Sequence, residues 1–241
     1  MRILITNDDS INASKLLPLI RWCQKLGDVT CVAPKVEQSG KSHGIEIHEP
    51  FAFEKVHLAD DICAYAVSST PADCVRFAVL ALQQKFDLVI SGINRGYNIG
   101  TDAMYSGTVA AAMEAAILGI PAVALSTSPG YYEQAVTQLD RIYDFFQKHD
   151  LLGKHSIYNV NIPPQAGSIR ITRQGGIYYS DDFLLDENGM CHPKGICVYE
   201  DRNDLNLDTD AVMHGHISIL PLTAEMTDMR IFSGLTHLNE C

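Results

Sequence analysis

The sequence predicts an α/β protein whose mostly parallel sheet is covered by helices. Through the first two thirds of the chain, short apolar runs alternate with helical patterns, an order typical of parallel sheets. The first run, Ile3-Leu4-Ile5, has a β-branched majority and is followed at once by polar residues, as in a buried strand that ends at a sheet edge. Beyond about residue 164, proline and glycine pairs separate short runs and predict β-hairpins. By length, the chain could form one large domain or two small ones.

Seven segments are predicted to be strands because each is a short run rich in apolar residues. In chain order they are residues 2–7, 29–33, 64–67, 88–91, 122–125, 157–161 and 217–220.

Four helices are predicted between these strands. The first carries apolar residues at helical spacing and stops before Gly27. The second begins at Thr70, a capping residue, with Pro71 in the first helical position. The third is rich in alanine and follows Ser106. The four helices are expected at residues 14–26, about 70–83, 108–119 and 132–148.

The charge balance limits the partners that the protein can bind. Acidic residues outnumber basic ones by 29 to 18, a net charge of −11, and no basic run is present. A surface for nucleic-acid polymers is therefore disfavoured, because such surfaces draw on clusters of lysine and arginine. If the substrate is an anion, its charge must be met locally by a metal, a helix N-terminus or oriented backbone amides.

The cysteines and the N-terminus indicate a cytoplasmic protein. The seven cysteines are odd in number, scattered and free of any C-x-x-C pair, as expected of a reduced protein. The chain starts without the basic, apolar and small-residue regions of a signal peptide. The longest apolar stretch, residues 109–125, is interrupted by Glu114, Gly119 and Pro121, so no membrane association is expected.

The most informative residues are two adjacent acids, Asp8 and Asp9, directly after the first predicted strand. Ligands of open α/β sheets bind at the edge where parallel strands end. Two carboxylates about 4 Å apart repel by roughly 4 kcal/mol at an effective dielectric constant near 20, so the pair needs a cation, a shared proton or solvent. We favour a divalent metal; the alternative is a solvated turn in which Asp9 caps the next helix.

A second polar segment, residues 91–108, leads from the fourth predicted strand into the alanine-rich helix. Its glycines allow close approach of a ligand to the backbone. Ser106, Gly107 and Thr108 would lie at the helix N-terminus, where free amides and the helix dipole favour a phosphate. The glycine spacing matches neither the G-x-x-x-x-G-K-[ST] phosphate loop nor G-x-G-x-x-G, so use of ATP or a dinucleotide is not indicated.

A third polar loop, residues 34–44, follows the second strand and should reach the same edge. The strand ends would bring Asp8, Asp9, an oxygen near Ser39, and Asn94 around one point. Taken alone, Ser39 and Asn94 are more simply loop residues. A set of carboxylate, hydroxyl and amide oxygens suits one hard cation, Mg²⁺, Mn²⁺ or Ca²⁺. Arg95 flanks Asn94 and could help to neutralise a phosphate.

These motifs resemble the SurE survival proteins, a family of metal-dependent 5'-nucleotidases, over nearly the whole chain. The similar segments are I-T-N-D-D at 5–9, V-A-P-x-x-x-x-S-G ending at Gly40, T-P-A-D-C-V at 70–75, S-G-I-N-x-G-x-N-x-G at 91–100 and Y-S-G-T-V-A-A-A-M-E at 105–114. Weaker similarity covers N-V-N-I-P at 159–163, T-R-Q-G at 172–175 and H-I-S-I-L-P-L at 216–222.

The resemblance implies a fold, a reaction and a set of site residues. The fold would be a single Rossmann-like, three-layer α/β/α domain over residues 1–241, with about 164–241 as a β-rich C-terminal extension that supports homodimers or homotetramers. The reaction would be hydrolysis of nucleoside 5'-monophosphates; activity on 3'-nucleotides and short polyphosphate stays open. Asp8 and Asp9 would be catalytic. The metal ligands would be Asp8, Asp9, Ser39 and Asn94, and the phosphate or substrate would contact Gly40, Asn98, Ser106, Gly107 and Thr108.

Two other interpretations compete with this one. A haloacid-dehalogenase-like phosphatase also uses an aspartate nucleophile after its first strand, but it expects D-x-D rather than Asp8-Asp9-Ser10. A non-catalytic module could use the same pocket to sense a nucleotide or metal. His214 and His216 are two residues apart and could bind a transition metal, but a surface turn is the better interpretation.

Overall fold

Strand β1 lies in the interior of the sheet, as the apolar run Ile3-Leu4-Ile5 predicts for a buried strand. The structure is a computed structural model that describes residues 1–59 and 62–238. Within these residues the strands are β1 (Arg2–Thr6), β2 (Asp28–Pro34), β3 (Phe53–Ala59), β4 (Ile62–Val67), β5 (Leu88–Arg95), β6 (Ala122–Thr127), β7 (Ile157–Ile162), β8 (Ile169–Ile171), β9 (Tyr179–Leu185), β10 (Cys191–Cys197) and β11 (Ile217–Pro221).

Nine of these strands form one sheet in the order β3-β4-β2-β1-β5-β6-β7-β11-β8. Six of them run parallel to one another, namely β4, β2, β1, β5, β6 and β7. At the two sides, β3 and β11 run antiparallel to β4 and β7. The chain builds outward from β1 through β2 to β4 and then returns to place β5 on the other side of β1. The sheet therefore has a switch point between β1 and β5, where ligand sites of such folds lie.

Helices cover both faces of the sheet and confirm the three-layer α/β/α class. Along β1, Ile3 and Ile5 face one core with the helices at Leu16–Gln24 and Leu139–His149, whereas Leu4 faces the other core with the helices at Pro71–Arg76 and Gly107–Ile117. Successive side chains of β1 thus point to opposite faces of the sheet, and both faces are buried. The helices are α1 (Leu16–Gln24), α2 (Pro71–Arg76), α3 (Gly107–Ile117), α4 (Tyr132–Thr137), α5 (Leu139–His149), α6 (Leu151–Lys154), α7 (Asp208–Met213) and α8 (Met229–Leu235).

The structure differs from the sequence-based expectation in three of these elements. The helix predicted over 132–148 is two helices, because the N–H of Gln138 bonds to the carbonyl of Ala135 in a tighter turn. Strand β3 was not predicted, since it is a largely exposed edge strand without an apolar run. Helix α2 continues as a π-helical turn over Phe77–Ala81.

The C-terminal region contains strands, as expected, but also two helices that the sequence did not indicate. Strands β8 and β11 extend the main sheet, and β9 and β10 form a separate antiparallel hairpin. The hairpin turns at Asn188-Gly189, a pair typical of tight hairpin turns, with Gly189 at φ +77°. Helices α7 and α8 are too short for their periodicity to be read from the sequence.

A helix long and apolar enough to cross a membrane is not found in the described part of the chain. Of the cysteines predicted to be reduced, those at positions 23, 31, 74, 191 and 197 are free thiols. Cys241 lies outside the described residues.

Candidate functional site

A polar cleft of about 450 Å³ opens at the carboxyl edge of the sheet, next to the switch point between β1 and β5. The loops after β1, β2 and β5 and the beginning of α3 all contribute to it. The predicted site residues that line the cleft are Asp8, Ser39, Gly40, Asn94, Asn98 and Ser106. Residues that sequence reasoning had assigned to three separate loops thus share one cleft.

The two acids after β1 face different neighbours. Asp8 is buried, and its Oδ1 accepts a hydrogen bond from the hydroxyl of Thr108 in the first turn of α3. Asp9 is half-buried, and its Oδ2 accepts from the backbone N–H of Arg95 at 3.1 Å and from the Tyr132 hydroxyl at 3.4 Å. Asp8 is therefore held against α3, whereas Asp9 is held against the end of β5.

Burial works against ionisation of both acids. Loss of solvent raises the pKa of Asp8, and hydrogen bonds from Thr108 lower it only in part. Burial, followed by the negative charge of Asp8, raises the pKa of Asp9 to about 6. Within residues 1–59 and 62–238, neither carboxylate forms an ion pair with a basic side chain. A cation bound between them would relieve this repulsion.

Ser39 lies on the loop after β2, and its position depends on the backbone of this loop. The N–H of Gln38 donates to the carbonyl of Asp8 at 2.8 Å, which ties the loop to the end of β1. The Ser39 hydroxyl donates to Oε1 of Glu37 at 2.7 Å, so the lone pairs of its oxygen remain for a second partner. Gly40 turns the chain with φ +70°, a conformation that glycine adopts without strain.

Glu37 is a third acid near the pair, and no pattern in the sequence indicates a role for it. Its charge raises the pKa of both Asp8 and Asp9. The three carboxylates make this end of the cleft strongly negative, which increases its attraction for a cation.

Asn94 occupies the end of β5, where the register with β6 shifts between Ser91 and Asn94. Its side-chain nitrogen donates to the carbonyl of Gly96 at 3.0 Å. The bond orients the amide so that its nitrogen is engaged and its oxygen is available to a ligand. Arg95 follows in the chain and also lines the cleft.

The beginning of α3 packs directly against Asp8. The Ser106 hydroxyl caps the helix by accepting from the N–H of Val109 at 3.1 Å. A Cβ added to Gly107 would lie 2.9 Å from the Cβ of Asp8 and 3.0 Å from Pro71. Only glycine allows the helix N-terminus, with its partial positive charge, to approach Asp8 this closely.

Asn98 has a structural role that the sequence did not reveal. Its amide nitrogen donates to the Ser126 hydroxyl at 2.8 Å, and its backbone N–H donates to Oδ1 of Asn161 at 2.9 Å. Its carbonyl accepts from the side chains of Asn159 at 2.7 Å and Asn161 at 3.0 Å. These bonds fix the middle of the 91–108 segment to β6 and β7.

The C-terminal region holds the same segment from the opposite side. Buried Asp208, at the start of α7, accepts from the N–H groups of Gly100 at 2.9 Å and Gly175 at 2.6 Å. Gly100 has φ +55°, and a Cβ there would lie 1.9 Å from the carbonyl oxygen of Gly176. This contact was missed because no local pattern links residues that are 108 positions apart.

Aromatic residues form the outer wall of the cleft. They come from the 91–108 segment and from the region before and within β9, and sequence reasoning assigned them no role. They are Tyr97, Tyr105, Tyr178 and Tyr179.

The histidines considered as transition-metal ligands lie elsewhere and have separate partners. His214 pairs with Asp201 at 2.7 Å, and His216 bonds to the Ser168 hydroxyl at 3.0 Å. Among the described residues, no group of three or more His, Cys, Asp or Glu side chains could hold a metal. The proposed cation ligands differ from such a group because two of the four, Ser39 and Asn94, offer hydroxyl or amide oxygens.

The fold and the site together define a doubly wound α/β protein with an oxygen-lined cleft at its switch point. The family described as Survival protein SurE matches residues 3–181. The 5'-nucleotidase SurE of Clostridium beijerinckii is 36% identical over 100% of both chains, and that of a Thermoanaerobacter species is 37% identical over 98% of this chain and 97% of the relative. A crystal structure of the SurE protein from Aquifex aeolicus has a TM-score of 0.80 and 30% identity and covers 100% of each chain. The chain belongs to the SurE family.

The raised pKa of Asp9 predicts that Asp9→Asn stabilises the metal-free protein above pH 6. Folding raises the pKa of Asp9 from 3.8 to about 6. The free energy of unfolding therefore decreases as the pH rises through this range, because the buried site disfavours the ionised carboxylate. The full shift corresponds to roughly 3 kcal/mol, but partial exposure screens it, so we expect about 1 kcal/mol.

Urea unfolding in the presence of a chelator measures this difference. The gain should be present at pH 8 and absent at pH 4, where Asp9 is neutral. Asp144→Asn, at an exposed acid on α5, serves as the control. A variant less stable than the unsubstituted protein at pH 8 would contradict the prediction.

Proposed function

We propose that this chain is a 5'-nucleotidase, a phosphatase that hydrolyses nucleoside 5'-monophosphates with one divalent cation. The main support is that Asp8, Ser39 and Asn94 line one cleft while the N-terminus of α3 packs against Asp8. The cleft thus combines oxygen ligands for a cation with a helix terminus suited to a phosphate. The relatives from Clostridium beijerinckii and Thermoanaerobacter are named 5'-nucleotidase SurE, and they align with this chain over 100% and 97% of their length.

The residues present fit a hard cation such as Mg²⁺, Mn²⁺ or Ca²⁺. Asp8, Asp9, Ser39 and Asn94 would hold it, and they offer carboxylate, hydroxyl and amide oxygens rather than sulfur or imidazole. The raised pKa values of the acids fit as well, because two carboxylates without a counter-charge need one. When bound, the cation would polarise a phosphoryl oxygen and lower the pKa of a water molecule.

The protein's own groups supply the remaining chemistry. Asp8 would accept the proton of the attacking water, and the Thr108 hydroxyl holds the carboxylate of Asp8 in a fixed orientation for this step. Amides at the N-terminus of α3 would bind the phosphoryl oxygens as negative charge develops on them. Arg95 lines the same cleft and adds a positive charge next to the phosphate.

The outer wall of the cleft suits a nucleoside rather than a small phosphorylated metabolite. The rings of Tyr97, Tyr105, Tyr178 and Tyr179 offer aromatic faces and edges on which a base can pack. The net charge of −11 and the acids at the cation end disfavour long polyanions, so single nucleotides are the proposed substrates rather than nucleic-acid polymers.

Asp8→Asn tests the reaction directly. The variant keeps the shape of the side chain but cannot act as a base, so release of inorganic phosphate from nucleoside 5'-monophosphates should fall by about 100-fold or more. The assay uses a panel of 5'- and 3'-nucleotides and short polyphosphates with Mg²⁺, Mn²⁺ or Ca²⁺. Asp144→Asn should retain full activity. Equal, slow phosphate release by the variant and the unsubstituted protein would exclude catalysis at this site.

Gly107→Ala tests the contact between α3 and Asp8. The added methyl group must displace either Asp8 or the helix start, and misplacement on this scale lowers kcat by about 10- to 100-fold. The matched control is Gly234→Ala in α8, where an added Cβ has nothing within 4 Å. If Gly107→Ala retains the kcat of the control, the close approach of the helix is not required.

The proposal includes a homodimer or homotetramer that works in the cytoplasm. The hairpin exposes large apolar side chains, among them Phe183 at 60% and Leu185 at 80%, which exceeds what scattered surface residues explain. A second copy of the chain would bury them. The free thiols of the described cysteines suit a reducing compartment.

The double variant Phe183→Asp/Leu185→Asp should lower the oligomeric mass measured by light scattering, because two charges replace apolar side chains on one face of β9. Leu80→Asp, at an exposed leucine outside the hairpin, should leave the mass unchanged. An unchanged mass in the double variant would place any interface elsewhere.

A further inference from the structure

We propose that His43 and Glu114 position the Ser39–Gly40 segment for cation binding. The inference rests on the proposed function, since Ser39 is a cation ligand only there. His43 lies on the loop after β2, beyond the two site residues, and Glu114 lies on α3, two turns after the helix start at the cleft. Nε2 of His43 and Oε2 of Glu114 are 2.9 Å apart.

Glu114 is a fixed anchor for this contact. The residue is only 5% exposed, and the second oxygen of its carboxylate accepts from Nη1 of Arg76 at 3.3 Å. Nε of Arg76 lies 3.5 Å from Oδ1 of Asp73, which is also buried. The hydrogen bond from His43, and next that from Arg76, lower the pKa of Glu114. A buried anion with two partners offers His43 a rigid attachment point.

The rest of the loop is held by hydrogen bonds to the backbone just before α3. The N–H of Ser42 donates to the carbonyl of Tyr105 at 3.0 Å, and its hydroxyl donates to the carbonyl of Met104 at 2.7 Å. Ser42 has φ +53°, which is unfavourable for a residue with a Cβ. Bonds on both sides of this turn are therefore needed to keep the chain in this conformation.

Ser39 itself has little to hold it in place. It is exposed, and the one side-chain bond found for it within the described residues is to Glu37 on the same loop. Its location relative to Asp8 must therefore come from the loop's attachments, at Gln38 on one side and at Ser42 and His43 on the other.

Helix α3 thereby positions two cation ligands at once. Its first turn holds Asp8 through Thr108, and its third turn holds the loop of Ser39 through Glu114. Because both contacts come from one rigid helix, the helix and the bond from Gln38 to Asp8 together set the distance between the two ligands. His43 and Glu114 are thus positioning residues that contact neither the substrate nor the cation.

The test compares Mn²⁺ affinity, measured by calorimetry without substrate, in the unsubstituted protein and four variants. His43→Ala removes the attachment, and we expect the dissociation constant for Mn²⁺ to rise about tenfold, as for the loss of one hydrogen bond to a charged group. His43→Gln keeps a nitrogen donor at the same reach and should restore most of the affinity. His48→Ala, at an exposed histidine on the same connection, should have no effect.

Activity assays separate positioning from a loss of folding. At low Mn²⁺, His43→Ala should have reduced kcat, and saturating Mn²⁺ should restore it, whereas a folding defect would not respond to Mn²⁺ at temperatures far below Tm. Glu114→Gln should behave as His43→Ala does. An Mn²⁺ dissociation constant within twofold of the unsubstituted protein in both variants would overturn the inference while leaving the proposed function intact. Failure of the unsubstituted protein to bind Mn²⁺ would instead overturn the metal centre, and the inference with it.

Discussion

The site depends on the close contact between Asp8 and the first turn of α3. A buried carboxylate is unfavourable unless donors or a cation compensate it, and the burial of Asp8 raises its pKa accordingly. The first turn of a helix supplies donors and a partial positive charge, but it can reach Asp8 only because Gly107 has no side chain. The order of the strands favours the same contact, since the adjacent strands β1 and β5 place the acids beside the beginning of the 91–108 segment, which leads to α3.

The same contact explains how an acidic chain would bind the phosphate of the proposed substrate. With 29 acidic and 18 basic residues, the protein has no basic surface run, and Arg95 is the basic side chain that lines the cleft. Glu37, Asp8 and Asp9 together favour a cation, and the helix terminus beside them favours an anion. A cation and a phosphate can therefore bind next to each other, each neutralised by the other as well as by the protein.

The sequence was sufficient for the fold class and for the polar residues proposed as ligands in the cleft, but not for the tyrosines that also line it. Apolar runs followed by polar residues mark the ends of parallel strands, so Asp8, Ser39 and Asn94 could be assigned to one edge without coordinates. The engagement of the Asn98 amide by Ser126 could not be predicted, because the sequence gives the donor but not its partner. Strand β3 and the break at Gln138 were missed for a related reason: edge exposure and one tight turn leave no periodic pattern.

The contact of Asp208 with Gly100 gives the C-terminal region a structural role besides the proposed contact between subunits. Gly100 begins the short turn that leads to Tyr105 and the helix start, and its N–H is held by a carboxylate from α7. Gln174 adds a bond to the Gly100 carbonyl at 2.9 Å. The segment that leads to the N-terminus of α3, the proposed phosphate site, is therefore fixed by β6 and β7 on one side and by α7 on the other. A change in the C-terminal region can alter the cleft through these bonds, without contacting the substrate.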